Sequence, residues 1–328
     1  MTIQSVLSLA PLRVSFLGGG TDISSFYNLH KGAVVSAAID KYVYVHIKRH
    51  DPLFQERYRI SYSETEHALE RIHIKNDIVR ACLEFLEIDE PLQISTSADL
   101  PANSGLGSSS SFAVALLLGL HAMKNENVSP VQIAEEACAV EVGLLSSPIG
   151  KQDQYAAAFG GLNYYEFSSD GRVRIEPLYM NNFDADLLFS RSVLVWTGQS
   201  RKAGSILQDQ ASRSEVNELS LIEIAKLAEE FKQELSLPKL NWVRLGSLIQ
   251  QGWLLKKTFS SKIETPEVHS ITSMLNDLNC YGYKLLGAGG GGFILALMED
   301  PNKLLGVSKW RTFQPKLNQT GARIISVN

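Results

Sequence analysis

Leu100-Pro101-Ala102-Asn103-Ser104-Gly105-Leu106-Gly107-Ser108-Ser109-Ser110-Ser111 is the stretch from which the rest of the chain is read. It follows an alternating, strand-like run from Leu92 to Ala98. It leads into Phe112-Ala113-Val114-Ala115-Leu116-Leu117-Leu118, apolar on every side. A strand, a turn rich in glycine and serine and a buried helix together suit an anion. Glycine lets the main chain approach a ligand closely. The first N–H groups of a helix have no intrahelical partner, and its dipole is positive there. Serine hydroxyls can cap the helix, bind a phosphate oxygen or face a metal ion. For a lone Gly-x-Gly, a serine N-cap on a core helix is the plainer reading. Four consecutive serines after Gly-Leu-Gly, at a strand-to-helix turn, favour phosphate.

The chain has 328 residues, enough for two domains at ~150 residues each. Its net charge of −4 does not suggest a nucleic-acid or anionic-membrane partner, so an anionic ligand needs a local basic pocket. Cys82, Cys138 and Cys280 are far apart and form no Cys-x-x-Cys, which reads as reduced thiols in a cytoplasm. No signal-peptide pattern opens the sequence, and Phe112 to Met123 is too short to span a bilayer. A cytoplasmic protein is expected, with oligomeric state left open to a homodimer.

In chain order, Ser5 to Leu17 reads as a strand running into Gly18-Gly19-Gly20-Thr21-Asp22. Asp22 either caps that turn or is held to accept hydrogen bonds from ligand hydroxyls. Ala33 to Lys48 is rich in β-formers, Arg57 to Tyr62 reads as a strand, and Ile78 to Leu86 as an amphipathic helix. Ser129-Pro130 starts a helix that continues through Glu141 to about Leu144. Gly150-Lys151-Gln152-Asp153-Gln154 starts another, ended by Gly160-Gly161. Two strands joined by Asp170-Gly171 follow. Leu187 to Trp196 reads as an apolar strand opening a second domain, giving an expected division into 1–186 and 187–328. Helices are expected over Ala203 to Leu235, Trp242 to Lys257 and Pro266 to Leu278, then strands flanking Gly287-Ala288-Gly289-Gly290-Gly291-Gly292, and a last strand from Arg323 to Val327.

Gly287-x-Gly289-x-x-Gly292 matches the dinucleotide fingerprint as a string. That motif needs a helix to begin at the loop, whereas the strand Phe293-Ile294-Leu295-Ala296-Leu297 follows here. The loop is better read as a connection packed against another loop or a ligand. No Walker phosphate loop and no Cys/His metal cluster occurs in the sequence.

Three separated glycine motifs in this order resemble the GHMP kinases, the superfamily of galactokinase, homoserine kinase, mevalonate kinase and phosphomevalonate kinase. Pro11 to Asp22 is similar to the first family motif. Pro101 to Ser110 matches the second, Pro-x-x-x-Gly-Leu-Gly-Ser-Ser-Ser/Ala. Lys284 to Gly292 matches the third, Lys-x-x-Gly-Ala-Gly-x-Gly-Gly. The resemblance implies an α+β, two-domain architecture. The N-terminal domain would be like ribosomal protein S5 domain 2 and the C-terminal domain ferredoxin-like, with ATP and substrate in the cleft between them. Gly-Gly-Gly-Thr-Asp replaces the Gly-Glu-His-x-Asp of galactokinase. With Ile39-Asp40-Lys41-Tyr42-Val43 and Gly150 to Tyr155, it resembles the heptose 7-phosphate kinases, which phosphorylate an anomeric hydroxyl and feed nucleotide-activated heptose synthesis. Other anomeric kinases, for fucose or an N-acetylhexosamine, and a silent ATP- and sugar-binding sensor are the alternatives.

For the site, the resemblance implies that Pro101, Asn103, Ser104, Gly105, Leu106, Gly107, Ser108, Ser109 and Ser110 hold ATP. Ser109, or its neighbour Ser108, and Glu141 would hold Mg²⁺. Asp153 matches the catalytic Asp, Arg13 takes the place of an active-site cation, and Gly19, Gly20, Thr21, Asp22, Gly289 and Gly290 would line the substrate. Each residue also has a plainer role: Glu141 as a solvated helix charge, Asp153 as a first-turn carboxylate on a helix dipole, Arg13 as a structural strand residue. A sugar phosphate brings its own charge, and Thr197-Gly198-Gln199-Ser200-Arg201-Lys202 joins a strand to a helix beside two cations. Arg201 is the expected receptor for that phosphate, since its planar fork can bind two oxygens.

Overall fold

The computed structural model describes residues 3–179, 182–200, 214–305 and 309–328. The chain runs β1 (Ser5–Leu17), α1 (Ser24–Tyr27), β2 (Gly32–Arg49), β3 (Tyr58–Ser61), β4 (Thr65–Ala68), α2 (Asp77–Phe85), β5 (Leu92–Ala98), α3 (Ser108–Met123) and α4 (Pro130–Cys138). A π-helical turn, Ala139–Leu144, extends α4. Next come α5 (Gln152–Phe159), β6 (Leu162–Phe167), β7 (Val173–Pro177), α6 (Asn182–Ser190) and β8 (Ser192–Trp196). The remainder is α7 (Ser214–Leu235), α8 (Trp242–Lys257), α9 (Pro266–Asp277), β9 (Gly282–Leu285), β10 (Phe293–Leu297), α10 (Asn302–Leu305), β11 (Thr312–Phe313) and β12 (Arg323–Val327).

Two sheets organise these elements. In the first, of eight strands, β2 is long enough to pair β5 along one half and β6 along the other, with β1 on its opposite side. Helix α3 lies against β1 and β2, and Leu116, Leu117 and Leu120 are fully buried. A helix apolar on all sides must be covered all round, and α4 and α5 cover its remaining faces. The second sheet has the order β11-β8-β10-β9, all antiparallel. Taken in chain order its strands stand 4-1-3-2, as in the ferredoxin-like fold. The mixed α+β architecture is therefore the expected one.

Three differences from the sequence reading have physical causes. Leu187 to Phe189 belong to helix α6, and the strand begins only at Ser192, because a short apolar run does not distinguish a buried helix from a buried strand. Ser129 does cap α4, accepting from the Gln132 amide, but the helix widens into a π-turn before Glu141. The final strand, β12, pairs antiparallel with β1, so the chain end returns to the first sheet and residues 187–328 do not stay together as one unit.

Candidate active site

Strand β1 carries Arg13 into the site through an irregularity. Its register against β2 slips between Pro11 and Arg13, and proline, lacking an N–H, is at home at such bulges. The Arg13 amide then donates to Leu106 O at 3.0 Å, tying the strand to the glycine–serine loop. Its guanidinium forks onto Asp153, with Nε to Oδ1 and Nη2 to Oδ2 both at 2.7 Å, while Nη1 reaches Gly105 O at 2.5 Å. A planar fork on a carboxylate fixes both side chains. Arg13 is buried and Asp153 is about one-fifth exposed, so the carboxylate has an open side.

The loop above the fork keeps its helix N-terminus uncapped by side chains. Gly107, at φ +76°, is the N-cap of α3, and no side chain among the described residues accepts from the first-turn amides, so the plainer alternative of a serine cap is not what the structure shows. A Cβ on Gly107 would lie 3.2 Å from Asp153 Oδ2, which measures how closely the loop passes over the carboxylate. Ser104 is buried with its hydroxyl unpartnered among the described residues, and Pro101 and Asn103 are exposed at the outer edge. Ser108, Ser109 and Ser110 make up the first turn of the helix.

Glu141 is buried under that turn. Its Oε1 accepts from Ser109 Oγ at 2.8 Å and its Oε2 from Gln154 Nε2 at 2.7 Å. Burial raises its pKa above the ordinary carboxylate value, against the pull of the hydrogen bonds from Ser110, Ser109 and Gln154. The donor set, one carboxylate and one hydroxyl beside a phosphate cradle, fits Mg²⁺, which takes few oxygen ligands from protein and the rest from phosphate and water. No group of three His, Cys, Asp or Glu suited to a metal occurs among the described residues.

Asp22 packs beside the start of α5. Its Oδ1 accepts from the Gly20 amide at 3.0 Å and Gln152 Nε2 at 3.1 Å, and its Oδ2 from the Gln152 amide at 3.1 Å. Burial raises its pKa too, the Gln152 amide opposing and the Asp153 charge adding. Gly150 leaves no room for a side chain there, since a Cβ would fall 1.9 Å from Asp22 Oδ2. Gly19 and Gly20 line the same turn. Thr21 does not offer its hydroxyl to a ligand: Oγ1 bonds Gly18 O at 2.8 Å and Ala33 O at 2.9 Å, and accepts from the Ala33 amide at 3.0 Å.

Gly289 and Gly290 pack against the segment that carries Ile263. The Gly290 amide donates to Ile263 O, and a Cβ on Gly289 would strike Ile263 at 2.9 Å. The loop packs against the first glycine–serine loop: a Cβ on Gly287 would fall 2.6 Å from Gly105 Cα, and the Phe293 amide donates to Ser104 O at 3.0 Å. Arg201 lies outside the described residues.

Four residues in or bordering the site were given no role by the sequence reading. Gln152 and Gln154 hold Asp22 and Glu141; Gln152 Oε1 is buried without a partner among the described residues. Lys256 and Lys284 are buried lysines beside the glycine loops. Gln152 and Gln154 flank Asp153 in the quoted motif and were legible there as a pair. Lys256 closes a helix whose Lys256-Lys257 end looks like ordinary last-turn charge.

Comparison with known proteins gives the same picture. The model for the GHMP kinases N terminal domain matches residues 73–161, and that for the GHMP kinases C terminal domain matches residues 227–308. A D-glycero-alpha-D-manno-heptose 7-phosphate kinase from Campylobacter jejuni is 31% identical over 314 residues, 92% of this chain and 91% of its own. A solved structure described as a D-glycero-D-manno-heptose 1-phosphate kinase from Bacteroides thetaiotaomicron superposes with a TM-score of 0.78 at 25% identity, covering 98% of this chain and 99% of its own. Lactococcus lactis galactokinase with galactose shares the fold, with a TM-score of 0.73 at 16% identity over 98% of this chain and 95% of its own.

Proposed function

We propose, from the premise that this chain belongs to the GHMP kinases, that it transfers the γ-phosphate of ATP to the anomeric hydroxyl of a heptose 7-phosphate. The reaction is a phosphotransfer to an alcohol, with heptose 1,7-bisphosphate as product. The Campylobacter relative's name supports the acceptor. The single observation that carries the chemistry is the Arg13–Asp153 fork lying directly beneath the Gly107 turn, so that a carboxylate and a phosphate cradle face one another.

Phosphoryl transfer asks for phosphate positioning, charge neutralisation and an oriented nucleophile. The amides from Ser108 to Ser110 receive the β- and γ-phosphates at the positive end of α3. Both Asp153 oxygens accept from Arg13, and each keeps a lone pair for the C1 hydroxyl. Asp153 thereby orients that hydroxyl or takes its proton as the bond forms. A loose transition state demands little base strength. Asp22, which Gln152 holds in place, is the carboxylate beside Asp153 on the sugar side. Glu141 and Ser109 would hold Mg²⁺, which supplies charge neutralisation on the phosphates.

A coupled ADP-release screen tests this reading, using heptose 7-phosphate, free heptose, fucose, galactose and an N-acetylhexosamine. Turnover is expected with the heptose 7-phosphate at the highest kcat/KM. A higher kcat/KM with an unphosphorylated sugar would overturn the acceptor assignment, and no ADP release with any of them would overturn the kinase assignment.

A further inference from the structure

Helix α8 crosses the back of β1 at close range: a Cβ on Gly252 would fall 2.5 Å from Leu17 Cδ2. That approach brings Lys256, one turn later, under the glycine loops. Its Nζ donates to Gly287 O. Gly287 rests on Gly105, whose carbonyl accepts from the same Arg13 that forks onto Asp153. Lys256 is thus joined to the Arg13–Asp153 fork through Gly287 and Gly105. A second lysine, Lys284 on β9, is also buried. Neither lysine makes an ion pair among the described residues, and Asp153 is already engaged by Arg13. Buried cations without a counter-charge are costly, and a site that keeps them is short of an anion.

We infer that Lys256, supplied by the second half of the chain, contacts the phosphoryl group being transferred and shares its charge with Arg13. The inference rests on the kinase reading above and adds a catalytic residue to it. Burial lowers the Lys256 pKa to about 8, with Arg13 adding and the two aspartates opposing, as befits an amine waiting for an anionic partner. The bond to Gly287 O gives the ammonium a fixed direction, and two of its three protons stay free for phosphate oxygens. A purely structural lysine would instead serve only to clamp that carbonyl.

Lys256→Met and Lys256→Gln separate the two roles. Glutamine can still donate to Gly287 O but carries no charge. Calorimetric titration with ADP and with β,γ-imido-ATP, without sugar, reads γ-phosphate recognition whichever sugar is the acceptor. Both variants should bind the imido analogue ~10-fold more weakly and ADP within ~2-fold of wild type, the scale of one charged hydrogen bond. In the ADP-release assay kcat should fall ~10²-fold or more, as for loss of one preorganised transition-state donor. The melting temperature should not fall, because a buried unpaired charge has been removed. Equal loss for ADP and the analogue, or a glutamine variant with wild-type analogue affinity, would overturn the assignment. Lower melting temperatures with kcat retained would do the same. Wild-type protein that binds neither nucleotide would overturn the kinase reading and this inference with it; wild-type binding without discrimination by the variants would overturn this inference alone.

Discussion

Gly107→Ala isolates the contact between the phosphate loop and the acceptor carboxylate. Gly107 has φ +76°, and Gly171, in the hairpin between β6 and β7, has φ +80°. An alanine at either position pays for the left-handed conformation, ~1–2 kcal/mol. The surroundings differ. At Gly171 the new methyl would meet only Lys151 Nζ at 3.9 Å, ordinary contact. At Gly107 it would meet Arg13 Cγ and Asp153 Oδ2 at 3.2 Å and Asp153 Cγ at 3.3 Å. The Arg13–Asp153 fork must then shift by a few tenths of an ångström, while the methyl occupies the space above the carboxylate. Misplacement of a reacting group by ~1 Å can cost ~10²-fold, so a smaller shift plus the lost space should lower kcat ~10-fold or more. Both variants should lose roughly 1–3 °C in melting temperature, from ~1.5 °C per kcal/mol at ~2.1 cal/mol/K per residue over 328 residues. Thermal unfolding and steady-state kinetics on both proteins make the comparison. The reasoning fails if Gly107→Ala keeps kcat within twofold at saturating sugar, or if Gly171→Ala loses as much.

Asp153→Asn should retain ATP binding by calorimetry yet lose ~10²-fold or more in kcat, the scale of a positioned proton acceptor; near wild-type turnover would remove Asp153 from that role. Glu141→Gln should raise the Mg²⁺ concentration needed for half-maximal activity, since a charged oxygen ligand is gone. Because burial raises the Glu141 pKa, the folded state disfavours its charged form. Its contribution to stability is present at low pH and is lost as pH rises through the folded value, so the metal-free glutamine variant should melt no lower than wild type at neutral pH. An unchanged Mg²⁺ titration would refute the metal role. Arg201→Ala should raise KM for the phosphorylated sugar ~10-fold or more and leave KM for ATP unchanged. Equal loss with an unphosphorylated sugar would exclude Arg201 as the phosphate receptor.

The sequence made the architecture legible where one force dominated. A helix apolar on every face, such as Phe112 to Leu118, has to be a core element, and Ser129-Pro130 carries its own capping chemistry. Period and length fail where an apolar run is short, as at Leu187 to Phe189, and where a strand's partner is distant, as for β12. In the site, the motif's Ser109 meets Glu141 and its Gly107 passes over Asp153, a proximity that sequence separation alone does not reveal. Thr21 and Gly290 have internal hydrogen-bond partners that the sequence does not show, because hydrogen-bond capacity is a tertiary fact. Nothing in Gly-Gly-Gly-Thr-Asp says that the Thr21 hydroxyl is filled by Gly18 and Ala33. Likewise the dinucleotide-like string from Gly287 to Gly292 needs glycine for loop-on-loop packing, at Gly105 and Ser104, rather than for a nucleotide.

The buried charges of the site have a pattern that individual residues do not reveal. Burial penalises both signs at once: Asp22 and Glu141 are raised, Lys256 and Lys284 are lowered. Each of these groups would be easier to hold charged if an opposite charge arrived. Glu141 lies with Ser109 beneath the first turn of α3, whereas Lys256 lies beneath the glycine loops, bonded to Gly287 O. A ligand of one sign would relieve one group and burden the other. On the proposed function, a metal-bound polyphosphate would carry both signs in one body, its cation meeting the carboxylate and its oxygens the ammonium group, and relief of desolvation at both ends would add to the amide cradle. By that account a protein of net charge −4 would hold a polyanion through local attraction, at groups whose charge burial penalises.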